Sequence, residues 1–199
     1  MADISFTHDY PGLRFYTQEE GTDAAVRICE YDGDITADGY VEFPLSGVDI
    51  FVVAGRIHAT DIVRCSTNLV AENGIVAGGG VDVYGSIHCC GGGIRSGEGI
   101  WAEGRIDLRG GIEAKGPIEC FGIGCLDGDI KAEGCIISEN EICTNGNIDC
   151  GKRIFAGVSL GATNETCRNE IMCDKLLNGE ICCGVLAEGG TWQPEEGWC

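Results

Sequence analysis

Fourteen cysteines, three histidines and thirty-two Asp or Glu residues are the groups in this 199-residue chain that could do chemistry. Cysteine and histidine at short fixed spacing would point to zinc, and a Ser/His/Asp or Cys/His set to nucleophilic catalysis. The sequence offers neither. No Cys-x-x-Cys occurs, and His8, His58 and His88 do not neighbour cysteine at zinc spacing; His88 and Cys90 flank Cys89 as one isolated cluster. Asp32, Asp34 and Asp38 could suggest calcium, but the third Asp or Asn and the closing Glu of an EF-hand loop are missing, so they read as turn acids. The glycines form no Walker or dinucleotide fingerprint. The expectation is therefore no metal, no cofactor and no catalytic set: a protein that is not an enzyme.

These residues are instead distributed by a repeat. From Ile75 onward an aliphatic residue returns about every sixth position: Ile75, Val81, Ile87, Ile94, Ile100, Ile106, Ile112, Ile118, Ile123, Ile130, Ile136, Ile142, Ile148, Ile154 and Leu160. A small residue follows two places later and often a glycine four places later, as in Ile112-Glu-Ala-Lys-Gly. In a strand, residues two and four apart share a face. The hexad Ile-x-small-x-Gly-x thus points Ile, the small residue and Gly inward, and three variable residues outward. The small residue and glycine let the chain bend at a crowded corner. A helix would need apolar residues three and four apart. The expected fold class is all-β, a triangular parallel β-solenoid with three hexads, about 18 residues, per turn. Cys89, Cys120, Cys150, Cys173 and Cys183 take the inward small-residue slot, where a reduced thiol acts as a small hydrophobe.

Three segments follow. Residues 1–47 depart from the hexad rule and carry His8, Tyr10, Phe15, Tyr16, Tyr31, Tyr40 and Phe43 among many acids. They read as an N-terminal β cap of short strands, with hairpin-type turns at Asp32-Gly33 and Asp38-Gly39. Residues 48–188 form the solenoid, interrupted at 164–169, and residues 189–199 a C-terminal lid carrying Trp192 and Trp198. Packed free thiols suit a reducing compartment. With no basic n-region ahead of a long apolar run, the expected location is the cytoplasm.

The formal net charge of −19 limits partners further. Such a chain does not bind nucleic acid directly by neutralising phosphate, and it is repelled by anionic membranes. An electrostatic partner is expected to be basic. Stacking residues 18 apart assigns outward residues to faces. On the face anchored by Ile94, Ile112, Ile130 and Ile148 the outward residues Arg95, Glu113, Lys131 and Asp149 alternate in charge, which is favourable across strands. A second face carries Asp82, Tyr84, Trp101, Glu103, Glu119, Phe121, Ile137, Glu139 and Phe155, with no base among them. Large outward apolar side chains repeated up one sheet are not expected on a lone domain. This face is the expected binding site, covered by the N-terminal segment, by a second copy in a homodimer, or by a basic partner protein. Arginine suits it because a guanidinium pairs with carboxylate and stacks on rings. The third face, with His88, Asp107, Gly124, Cys143 and Gly161, shows no cluster.

The stretch Gly-Ile-Trp-Ala-Glu-Gly-Arg-Ile-Asp-Leu-Arg-Gly-Gly-Ile-Glu-Ala-Lys-Gly-Pro-Ile, and the hexads of residues 94–160 generally, resemble bactofilins and the left-handed hexapeptide-repeat solenoids common in acyltransferases. They are also similar to short Ile-Glu-Ala-Gly-type repeat proteins of phages and mobile elements. The last resemblance implies an inhibitor of anti-CRISPR or anti-restriction type, whose acidic rod mimics DNA and occupies a basic surface of a host nucleic-acid-handling or defence protein. The bactofilin resemblance implies instead a polymer built end to end. The acyltransferase resemblance implies a trimer with a catalytic histidine at a subunit interface, whereas His58 and His88 fall on different faces here.

Overall fold

The computed structural model describes residues 3–20, 24–157 and 170–189. It is all-β and winds as a parallel β-solenoid of about 8 turns with ~18 residues per turn. The first face stacks Ile35–Ala37, Ile57–Ala59, Ile75–Ala77, Ile94–Ser96, Ile112–Ala114 and Ile130–Ala132 onto the start of the long strand Ile148–Ala156. The second stacks Ile4–Ser5, Val41–Phe43, Val63–Cys65, Val81–Val83, Ile100–Ala102, Ile118–Cys120 and Ile136–Ser138 onto that strand's far end. Because Ile148–Ala156 turns a corner without a break, these two faces form one 15-stranded sheet, while the third face is a separate 10-stranded sheet.

The hexad sets the register directly. Anchor lies over anchor, as Ile75 over Ile57 and Ile94, and Ile112 over Ile130. Inside, Ile75, Ile94, Ile112, Ile118, Ile130 and Ile148 are buried with the small residues that follow them. Each buried Ile removes apolar surface worth ~1.5–3 kcal/mol from water. At the corners the turns press main chain on main chain: a Cβ at Gly93 would run into the Gly111 carbonyl. Buried polar groups are met locally, for Ser96 Oγ donates to the Gly79 carbonyl at 2.8 Å. Among the described residues no buried side-chain nitrogen or oxygen lacks a partner.

The parallel ladders reach further back than Val48, since Ile35–Ala37 pairs with Ile57–Ala59 and Val41–Phe43 with Val63–Cys65. Asp32-Gly33 and Asp38-Gly39 are therefore corners of the first turn and not hairpins. The alternating stretches before, between and after those glycines serve three faces in succession instead of one folded ribbon. The hairpin lies upstream, where Leu13–Glu20 pairs antiparallel with Ala24–Tyr31. Phe6 plugs this end of the core, its ring centroid 4.2 Å from Tyr10 and 4.9 Å from Phe43, with Phe51 4.3 Å from Phe43. Aromatic rings bring a large apolar area to a spot where no further turn covers the core.

At the other end Leu176–Cys183 lies on Ile148–Ala156 with shifts in register, and Val185–Glu188 lies on Glu170–Cys173. Gly179 has φ +121°, and a Cβ there would stand 3.0 Å from both Cys150 Cβ and Ile154 Cδ1. Glycine is thus required for the chain to lie flat on the last turn. The lid expected at Trp192 and Trp198 falls outside the described residues, as do Leu160 and Gly161. Cys120, Cys150 and Cys173 are buried free thiols, and Cys89 is buried in the same slot. Cys183 is the correction: it is buried, yet it is disulfide-bonded.

Candidate binding face

Pairing places Asp82, Trp101, Glu119, Ile137 and Phe155 in one outward ladder up the second face. Each sits between two inward residues of its strand, so the pleat holds it out from the core. Tyr84, Glu103, Phe121 and Glu139 follow one residue after those strands, at the corner toward the third face. Apolar and acidic groups therefore alternate across the rod and, as far as Ile137, along it, before Phe155 follows Ile137 directly; successive rungs stand ~4.8 Å apart.

Exposure differs along the face. Tyr84 is 57% and Phe121 44% exposed, while Trp101, Ile137 and Phe155 are half-buried. Part of Trp101's shielding is Tyr84 itself, edge-on with ring centroids 5.1 Å apart. The described part of the N-terminal segment stacks on the end of the solenoid, through Val41–Phe43 and Ile50–Val53, and leaves these rings open. Glu103 and Glu119 enter no ion pair among the described residues, and no base stands beside them in the ladder.

The ladder also continues upstream beyond the expected residues. Glu42 and Arg64 precede Asp82 in it, and Arg64 Nη2 reaches Asp82 Oδ2 at 3.4 Å. The run of outward rings and carboxylates with no base among them thus begins past Arg64, at Asp82, Tyr84 and Trp101. By contrast the first face holds its charges among themselves, with Arg95 Nε 3.3 Å from Glu113 Oε2.

The third face holds a cluster that spacing did not reveal. Arg105 pairs with Asp107 on its own strand and with Glu141 two turns on. It reaches that far because the intervening rung carries Gly122, where a Cβ would stand 3.0 Å from Arg105 Nη1. His88 lies over Asp107, and burial pushes its imidazole below the usual range against the opposing pull of Asp107. Cys143 shares that outward ladder, but Gly124 separates it from Asp107, and burial pushes its thiol up to about 12. A thiol so shielded stays protonated at neutral pH and is a poor nucleophile. Burial raises Cys29 to about 11 and Cys65 to about 12 in the same way.

Among the described residues no group of three or more His, Cys, Asp or Glu is placed to hold a metal ion, and no helix is long and apolar enough to cross a membrane. No model of a known protein family, no curated protein and no solved structure matches this chain.

Proposed function

We propose that this chain is a non-enzymatic binding rod whose second face, from Asp82 to Phe155, occupies a basic, nucleic-acid-handling surface of another protein. The observation that supports this most is the open row of rings and carboxylates at Tyr84, Trp101, Glu103, Glu119 and Phe121, set on a stiff sheet beside a face whose charges cancel. Carboxylates presented at strand spacing on a rod of −19 net charge resemble the charge of a nucleic acid backbone. An inhibitor carried by a phage or mobile element, acting on a host defence protein in the cytoplasm, would use such a surface.

The test compares immobilised wild-type chain with Trp101→Ala/Phe121→Ala. Wild type should retain a basic nucleic-acid-handling protein, release it as salt rises, and block its nucleic-acid binding. The double variant should keep its circular dichroism and lose the partner. Retention by both forms, or unfolding of the variant, would overturn the assignment of this face. A second reading, a polymer joined end to end, is favoured by one feature: Leu177, Val185 and Leu186 are 48%, 53% and 36% exposed at the C-terminal end. Light scattering behind a sizing column separates the two readings. A growing or elongated species in both low and high salt would favour the polymer.

A further inference from the structure

The upstream end of the second face contains a small pocket. It measures about 260 Å³ and is lined by Tyr40, Glu42, Asp61, Ile62 and Arg64. It lies where the corner from the first face enters the second, one rung above the Arg64–Asp82 pair. The backbone around it is fixed, because the Val41 amide donates to the Ile62 carbonyl at 2.9 Å and the Tyr40 amide to Asp3 Oδ1 at 3.2 Å.

Its walls define the occupant. Small-molecule sites commonly run to about 300–1,000 Å³, so a pocket of 260 Å³ suits one long side chain better than a cofactor. Tyr40 and Ile62 supply an aromatic and an aliphatic wall for methylene groups. Glu42 and Asp61 supply two carboxylates, and among the described residues neither enters an ion pair. The resident cation, Arg64, is drawn the other way by Asp82 at 3.4 Å. A site with two free acceptors and a ring selects a planar, forked donor over a compact ammonium. Glu42 is also in line with Arg64, Asp82 and Trp101, so a protein lying along the face reaches this pocket without turning.

We infer that this pocket receives an arginine side chain of the partner protein and anchors it at the upstream end of the second face. The inference rests on the binding-rod reading and adds the chemistry that recognises the partner. Arginine is among the residues that concentrate binding energy in such pockets.

Labelled hexa-arginine and hexa-lysine peptides, followed by fluorescence anisotropy on the full chain, test it. Wild type is expected to bind hexa-arginine several-fold tighter than hexa-lysine. Glu42→Gln/Asp61→Asn should weaken hexa-arginine about tenfold and narrow that preference. Glu113→Gln/Glu133→Gln removes the same charge from exposed positions outside the pocket and should leave the preference intact. Arg64→Gln removes the competing cation and should tighten hexa-arginine several-fold, a gain that a purely structural role does not produce. An unchanged preference in both pocket variants overturns the pocket while leaving the binding-rod reading in place. Failure of wild type to bind either peptide overturns both.

Discussion

The first and second faces are built on the same hexad and the same core, yet their outer surfaces are opposite in character. On the first, Arg95, Glu113, Lys131 and Asp149 follow one another rung by rung, so each charge has an opposite one on the neighbouring rung, and Arg95 and Glu113 form an ion pair. On the second, the same positions one strand later hold Trp101, Glu119, Ile137 and Phe155. The inward residues are set by the fold, and the outward ones are free of it. A face that satisfies its own charges is finished as a surface. A face that leaves rings and carboxylates open has its complement elsewhere.

The largest effects should be blind to this difference. Ile112→Ala beneath the first face and Ile118→Ala beneath the second each remove a fully buried side chain, and each should cost ~2–5 kcal/mol in chemical denaturation. A much smaller loss for Ile118 would mean that the second face is loosely held.

High pH separates the faces next. The inward small slot holds Ala59, Ala77, Ser96, Ala114 and Ala132 on the first face ahead of Cys150 at its last rung, whereas Cys65 and Cys120 lie within the second beside Val83, Ala102 and Ser138. Burial holds the Cys65 thiol up to about 12 and raises Cys120 as well. A thiol whose folded pKa lies above its unfolded value binds its proton more tightly when folded. Its contribution is complete below the unfolded pKa, near 9, and is lost as pH rises toward the folded value. Stability should therefore fall above pH ~9, with a slope of about 1.4 kcal/mol per pH unit for each such thiol. Denaturation midpoints measured across this range check it, and Cys65→Ala/Cys120→Ala should flatten the fall. An equal slope in the variant would place the effect elsewhere.

Charge reversal gives the smallest effect and the sharpest contrast, because its sign should differ between faces. Glu113→Lys would set three cations in a row with Arg95 and Lys131, and should destabilise by up to ~1 kcal/mol. Glu119→Lys falls between Trp101 and Ile137, near Glu103 and Glu139, and should leave stability unchanged or raise it by a few tenths of a kcal/mol. Equal losses at both sites would remove the contrast between the faces.

Much of this was legible in the sequence because one aliphatic residue per hexad fixes both the strand and its partner 18 residues away. The ladder from Asp82 to Phe155 followed from counting alone. Counting failed where side chains reach beyond their own rung. Arg105 spans two turns to Glu141 only because Gly122 leaves the space, and no spacing rule encodes that reach. Tyr40, Glu42 and Arg64 were missed for a different reason. The first turn has Val41 as its anchor and the large Phe43 in the small-residue slot, amid aromatic and acidic residues, which hides the hexad from a reader looking for isoleucine followed by a small residue. Phe51 keeps the period, standing 18 residues before Leu69 in register, but Phe6 gave no periodic sign of its role, for a plug occurs once and a repeat cannot announce it.

The parallel pairing also makes length a quantity separable from fold. Ile94 stands over Ile112, and Ile112 over Ile130, with the same corner between them. Removing residues 112–129 would bring Ile130 onto Ile94 with every later ladder in step, and shorten the rod by one rung of ~4.8 Å. The molecule is then a ruler graduated in turns, and the distance from the Tyr40 pocket to Phe155 can be reset in whole steps to match the span of whatever it holds.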